Sequence, residues 1–153
     1  MKKVVLHIPK MLFLLAIGGI LYGLVEILFR GYTHPSMLLL GGICFVLIGE
    51  INEVYPWEMP LISQMFISMI IVTTLEFIFG VILNIVLGLG VWDYSELPYN
   101  LCGQICLLFS VGWFFLSAVA IILDDCLRHM LFGEGKPRYN IFYCKHPGEY
   151  SIG

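Results

Sequence analysis

Charge is scarce in this chain. Of its 153 residues, 12% are Lys, Arg, Asp or Glu, against 59% hydrophobic. A soluble domain carries about 25% charged and about 45–50% apolar residues. The deficit excludes a disordered chain, which needs polarity to stay unfolded. A basic surplus is also missing: 8 Lys and Arg face 11 Asp and Glu, for a net charge of −3. That excludes a nucleic-acid partner, since phosphate binding needs clustered cations. Cysteine is too sparse for a small disulfide-stapled domain, at five residues. Cys44 and Cys106 sit in apolar runs, Cys102 sits at the edge of one, and Cys126 and Cys144 follow the last run. All five read as small apolar packing residues. Cys102 and Cys106 would share a helical face, but no partner completes a zinc set. His7, His34, His129 and His146 lie outside the apolar runs and share no metal spacing. No phosphate-binding glycine loop, serine elbow or HExxH motif is present. The chain therefore does not hydrolyse ATP itself, and no metal or cofactor is expected.

Long apolar runs are what the chain does have. They predict an all-α, polytopic membrane protein, a bundle of four transmembrane helices at about 11–29, 37–54, 61–87 and 101–123. A span needs about 20 apolar residues. These spans form one transmembrane domain over 1–125, followed by a cytoplasmic tail over 126–153. The charged start Met1-Lys2-Lys3 is like that of a signal peptide, but the run from Met11 to Phe29 is too long for one and reads as a retained span. The second run is short and must extend to about Val54. The third apolar stretch, Leu61–Val91, is too long for one upright crossing, at about 46 Å of helix. It reads as a tilted helix to about Leu87, with a re-entrant segment after Gly80 as the alternative. Asp124-Asp125 closes span 4, and Cys126–Phe132 could form a short interfacial helix with Arg128 and His129 toward headgroups. Tyr55 and Trp57 suit an interface, and beyond Gly133 the tail is expected to be loose.

Lys2, Lys3 and Lys10 precede the first run, and Arg128, Lys136, Arg138 and Lys145 follow the last. The positive-inside rule then puts both termini in the cytoplasm.

Polar residues inside the runs single out a site. A charge at the bilayer centre costs at least about 2.5 kcal/mol. Glu76 lies near the middle of the third run and Glu26 about two-thirds of the way along the first, and their short stems do not easily reach the interface. Gly19, Gly23, Glu26 and Arg30 fall on one helical face, with Glu26 and Arg30 paired i, i+4. Thr73, Glu76, Gly80 and Asn84 form a second stripe. Gly103, Ser110, Ser117 and Asp124 form a third, and Gly42 and Gly49 lie seven apart. Such stripes suit close helix packing. Glu26 reads equally as the partner of Arg30 alone. Glu76 has no cation within one turn and is the stronger functional candidate. Glu50 reads as interfacial.

The run Val91-Trp92-Asp93-Tyr94-Ser95-Glu96-Leu97-Pro98-Tyr99-Asn100-Leu101-Cys102-Gly103-Gln104-Ile105-Cys106 is distinctive. It resembles the WDYS…P-N…G-x-I-C signature of a bacterial membrane family labelled "putative ABC-transporter permease, type IV". Gly23-Leu24-Val25-Glu26, Leu75-Glu76-Phe77-x-x-Gly80 and Phe109-Ser110-x-x-Trp113 fit the same family. The shorter members are also similar in Arg30-Gly31-Tyr32, Ser36-Met37, Gly41-Gly42-Ile43-Cys44-Phe45 and Leu123-Asp124-Asp125. The resemblance covers about residues 11–137. Longer relatives carry a glycine- and proline-rich motif after the second span, where this chain has Ser36–Gly42. The positions that carry over are Glu26, Glu76, Asp93 and Asn100. The motif residues Trp92, Tyr94, Ser95, Pro98 and Gly103 read as a cap over the bundle, with Asp93 and Ser95 in a tight turn and Asn100 as the N-cap of span 4. The functional alternative has Asp93 and Asn100 facing Glu76 or Glu26 across a polar pocket, with Asn84 leading toward it.

The resemblance implies a transport component of the bacterial inner or plasma membrane. It would be a permease-like subunit or small carrier, with candidate substrate or ion ligands Glu26, Glu76, Asn84, Asp93 and Asn100. The expected partners are the bilayer, a separate ATPase subunit and further copies or subunits in an oligomer. One alternative is an intramembrane enzyme that uses paired carboxyls on a lipid-linked substrate. Another is a non-catalytic assembly factor.

Overall fold

The first helix, α1, spans Lys2–Arg30, and α2 spans Pro35–Val54. The chain reverses between them at Gly31, whose φ of +78° suits glycine. Pro35 opens α2 at the first helical position, where its missing N–H is no loss. The two helices pack at near backbone contact because glycines on each helix let the other approach. A side chain at Gly19 would strike the Leu38 carbonyl, and one at Gly42 would meet the Leu15 carbonyl and its Cγ, the latter at 3.0 Å. The helical-face reading of Gly19 and Gly23 as a packing surface matches this contact.

The third helix, α3, spans Leu61–Gly80 and runs straight into a π-helical segment, Val81–Val86. The wider turns are closed by Leu87 N donating to Ile82 O and Leu89 N to Leu83 O, both at 2.9 Å. Gly88 and Gly90, with φ of +63° and +57°, then end the helix. The third run thus continues past Gly80 as helix, and no re-entrant turn forms there. A two-residue hairpin follows: β1, Asn100–Leu101, pairs antiparallel with β2, Ile105–Cys106. The last helix, α4, spans Leu107–Phe132.

Two expectations are corrected at α4. Residues 101–106 form the hairpin rather than the start of the helix, so Asn100 is not an N-cap. The cap position is Cys106, in extended backbone and without a side-chain cap. Cys102 and Gly103 accordingly lie in the hairpin turn and not on a helical face. At the other end α4 runs through Asp124-Asp125 without a break, because both acids and Arg128 are buried within the bundle. There is no separate interfacial helix, and Arg128 does not reach headgroups.

The structure, a computed structural model, describes residues 2–54, 59–137 and 139–141, with side chains from residue 8 and without that of Asn52. Tyr55, Trp57 and the tail beyond residue 141 lie outside the described residues.

Three helical stretches are long and apolar enough to cross a membrane: Ile8–Arg30, Leu61–Val86 and Leu107–Phe132. Less than a third of each is buried within the protein, so the apolar outer faces are left for lipid. In α2 the apolar segment, Pro35–Ile51, is shorter. The whole helix has 20 residues, about 30 Å at about 1.5 Å each, which matches a hydrocarbon core. Its ends also touch opposite ends of the bundle. Before it, Thr33 bonds Glu26 of α1; near its close, Glu50 bonds Arg128 of α4. Lys10 and Glu134 form an ion pair, and Leu61 N donates to Asn140 O at 2.8 Å. The start of α1, the start of α3 and the end of α4 therefore share one end of the molecule.

Candidate functional site

Glu76 sits on the inner face of α3 with Gln64, Ser68, Val72 and Gly80, a four-residue period that buries one stripe. It is 2% exposed. Tyr94 Oη donates to its Oε1 at 3.0 Å, and Trp113 Nε1 donates to its Oε2 at 2.9 Å. Both donors are neutral. Among the described residues no Lys, Arg or His forms an ion pair with it. A carboxylate has about four acceptor sites, and these two bonds occupy half of them. Tyr94 reaches Glu76 from the motif loop and stacks on Phe109, with ring centroids 4.7 Å apart. Burial, and then the Glu76 charge, hold its phenol above the usual tyrosine range.

A cavity of about 190 Å³ lies against Glu76, bounded by residues of all four helices. Its walls are almost wholly apolar. Tyr22 from α1 and Trp113 from α4 face it, with ring centroids 5.9 Å apart at 43°. One carboxyl, Glu76, lines it.

The other sequence candidates are not in this cavity. Glu26 is buried, but Arg30 Nη1 donates to it at 2.9 Å and Thr33 Oγ1 at 2.5 Å. Arg30 in turn donates to Val91 O at 2.8 Å, so Glu26 orients a tie between α1 and the motif loop. Asn84, on the π-helical segment, donates to Gln104 Oε1 at 2.8 Å and accepts from Val91 N at 2.7 Å. The wider helical turn brings this side chain to the loop. Trp92 Nε1 donates to Gln104 O at 2.9 Å. Asn84, Trp92 and Gln104 together plug the end of the bundle, and Gly80 leaves room for Gln104 and Trp92.

Asp93 is exposed and does not face Glu76. Its Oδ1 accepts from Ser95 Oγ at 2.5 Å and Ser95 N at 2.9 Å, which closes a tight turn. Those bonds, the hydroxyl first, hold its carboxyl below the ordinary aspartate value. Asn100 donates to Leu97 O at 2.7 Å and to Ser95 O at 3.2 Å, and accepts from Gly103 N at 3.0 Å. Gly103 has a φ of +68° and no room for a side chain beside Asp93. Pro98 is exposed on the same loop. The motif is therefore a hydrogen-bonded cap from which one residue, Tyr94, reaches the carboxyl site.

Sequence reasoning passed over Tyr22, drew no role for Gln104 and set Arg128 toward the headgroups. Tyr22 stands one turn before Glu26, a spacing that was open to view. Trp113, quoted only as part of the resemblance, falls between Ser110 and Ser117 on the stripe of α4. Arg128 could not be read from its sequence neighbours. It is 2% exposed, with Nε donating to Asp124 Oδ2 at 2.5 Å and Nη2 to Glu50 Oε1 at 3.0 Å. Glu53 lies 3.6 Å from Nη1. This cluster clamps α2 to α4 at the end opposite the motif loop.

A family model described as "Putative ABC-transporter type IV" matches residues 11–132. Among curated proteins nothing matches, and among solved structures nothing matches.

Proposed function

Since the chain belongs to the family that this description covers, we propose that it is a transport component of a bacterial cell membrane, a permease-like subunit that works with a separate ATP-binding subunit. Both termini are cytoplasmic in this reading, because the basic residues lie before the first run and after the last. Glu76 is the carboxyl that meets the transported species. The observation that carries this is a buried acid at the wall of a central cavity, held by two neutral donors. Intramembrane carboxyls without a fixed cation are typical of substrate and proton pathways. Glu26, Asn84, Asp93 and Asn100 act as positioning residues in this account, because their polar atoms are engaged within the cap and its tie. The enzyme reading needs an acid–base pair, and the other buried carboxyls are engaged elsewhere: Glu26 pairs with Arg30, Asp124 pairs with Arg128, and Asp125 accepts from Tyr139. Asn84 and the motif residues keep Tyr94 on Glu76.

Gentle affinity purification from the native membrane, with mass spectrometry of the eluate, tests the proposal. A stoichiometric ATP-binding subunit is the expected result. A chain that elutes alone, under conditions that preserve known membrane complexes, overturns the permease reading.

A further inference from the structure

The cavity beside Glu76 has one open side. Its liners on α2 and α3, among them Leu40, Cys44 and Val72, are all buried. Its exposed liners are Leu21 on α1 and Val119 and Leu123 on α4, at 37%, 52% and 40%. α1 packs mainly on α2 and α3 mainly on α4, and the two pairs meet through α2. The mouth is therefore the seam between α1 and α4, on a surface whose neighbouring side chains are apolar and face lipid. A ligand enters from the bilayer, and it must be apolar enough to be there.

Inside, it meets one carboxyl, Glu76 of α3, and two aromatic side chains, Tyr22 of α1 and Trp113 of α4. That pairing selects a cation whose charge is spread over an organic head. A carboxylate supplies the counter-charge, and Tyr and Trp faces attract ammonium groups within about 6 Å of the ring. A bare metal ion does not suit these walls. It needs several oxygen or nitrogen ligands, and among the described residues no group of three His, Cys, Asp or Glu stands close enough to supply them. The hydroxyl of Ser117, a further polar liner, is already bonded to Trp113 O at 2.5 Å. Size narrows the class again. An apolar cavity of about 150 Å³ holds benzene, so about 190 Å³ admits one ring or a short branched chain with a compact head.

We propose that this cavity binds a small amphiphilic organic cation, an ammonium bearing one ring or a short branched chain. It enters between α1 and α4 and rests its charged head on Glu76 beside Tyr22 and Trp113. The inference deepens the transport reading and rests on it for the ligand's movement, but the binding event stands by itself.

The test uses the purified full chain in lipid nanodiscs. It is titrated by tryptophan fluorescence and by calorimetry with benzyltrimethylammonium and with its neutral carbon isostere, neopentylbenzene. The cation should bind saturably and at least tenfold more tightly than the isostere. Glu76→Gln should remove that preference while leaving the isostere's binding in place. Ala120→Leu, which narrows the cavity without touching the carboxyl, should weaken both probes and covers the case in which Glu76→Gln does not fold. Equal binding of the two probes, or an unchanged preference in Glu76→Gln, overturns the inference. Cation binding by a chain that co-purifies with no ATP-binding subunit would keep this inference and remove the permease reading. The reverse pattern would do the opposite.

Discussion

At the scale of single residues, the buried ionisable groups Glu26, Arg128 and Glu76 stand in three different environments. Glu26 is paired with Arg30 one turn away. Arg128 is held among Asp124, Glu50 and Glu53. Glu76 has hydrogen bonds but no counter-ion among the described residues. Breaking a buried pair strands a charge, at a cost of about 3–5 kcal/mol. Arg128→Met should lower unfolding stability by about that amount, measured by thermal or detergent unfolding. A loss under about 1 kcal/mol would mean that the cluster is solvated and does not clamp the helices. Asp93 is a milder case at the surface. Its folded value lies below the ordinary 3.8, so the turn's contribution is complete above 3.8 and is lost as pH falls through the lowered value. The Ser95 amide resonance should therefore titrate below 3.8 in the wild type and stay still in Asp93→Asn. Titration above that value would show that Ser95 does not hold the carboxylate. The sequence made Glu26 and Glu76 visible as acids in apolar runs, and the i, i+4 pairing of Glu26 with Arg30 was open to view. It did not show that Asp124 and Arg128 were buried, because burial depends on Glu50 and Glu53 arriving from another helix.

At the scale of elements, close packing and helix widening arrange the site. The α1–α2 seam depends on glycines that differ in what they face. A Cβ at Gly19 meets the Leu38 backbone, which cannot yield without moving the helix. A Cβ at Gly23 meets the end of the Leu38 side chain, which can turn away. Gly19→Ala should thus cost about 1–3 kcal/mol of stability by overpacking, and Gly23→Ala clearly less, in parallel unfolding measurements. Equal effects would mean that the helices separate freely. Glycine spacing announced this seam because periodicity reports a face directly. The π-helical segment had no such announcement. Asn84 fits the stripe of α3 by count, but the wider turns carry it to Gln104 and Val91 instead. The hairpin over residues 100–106 was also hidden, because Leu101, Cys102, Ile105 and Cys106 are as apolar as the helix that follows. Gly103 is the one local warning, and its seven-residue spacing from Ser110 also fits a helical stripe.

At the scale of the whole molecule, four helices form two antiparallel pairs around a cavity, with a capped end and an ion-paired end. Multi-pass architecture was legible from composition alone, since the runs leave no polar face for water. Position of the cavity was not, because it arises where the α1 and α4 backbones stay apart and the helices meet only through side chains such as Tyr22 and Trp113. The proposed orientation puts the motif loop outside. Cys102 is an exposed thiol in that loop, so a membrane-impermeant maleimide should label it in intact cells. Labelling only after permeabilisation would invert the topology. In this reading Glu76 serves a ligand and not the fold. A group kept for function at the expense of stability can be neutralised without structural loss, whereas a structural hydrogen-bond partner cannot. The most direct measurement is the thermal midpoint of Glu76→Gln beside the wild type, both in nanodiscs without added ligand. An equal or higher midpoint is expected. A midpoint lower by about 2–4 °C or more, the signature of about 1 kcal/mol lost in a chain of this size, would make Glu76 a structural anchor and contradict this reading.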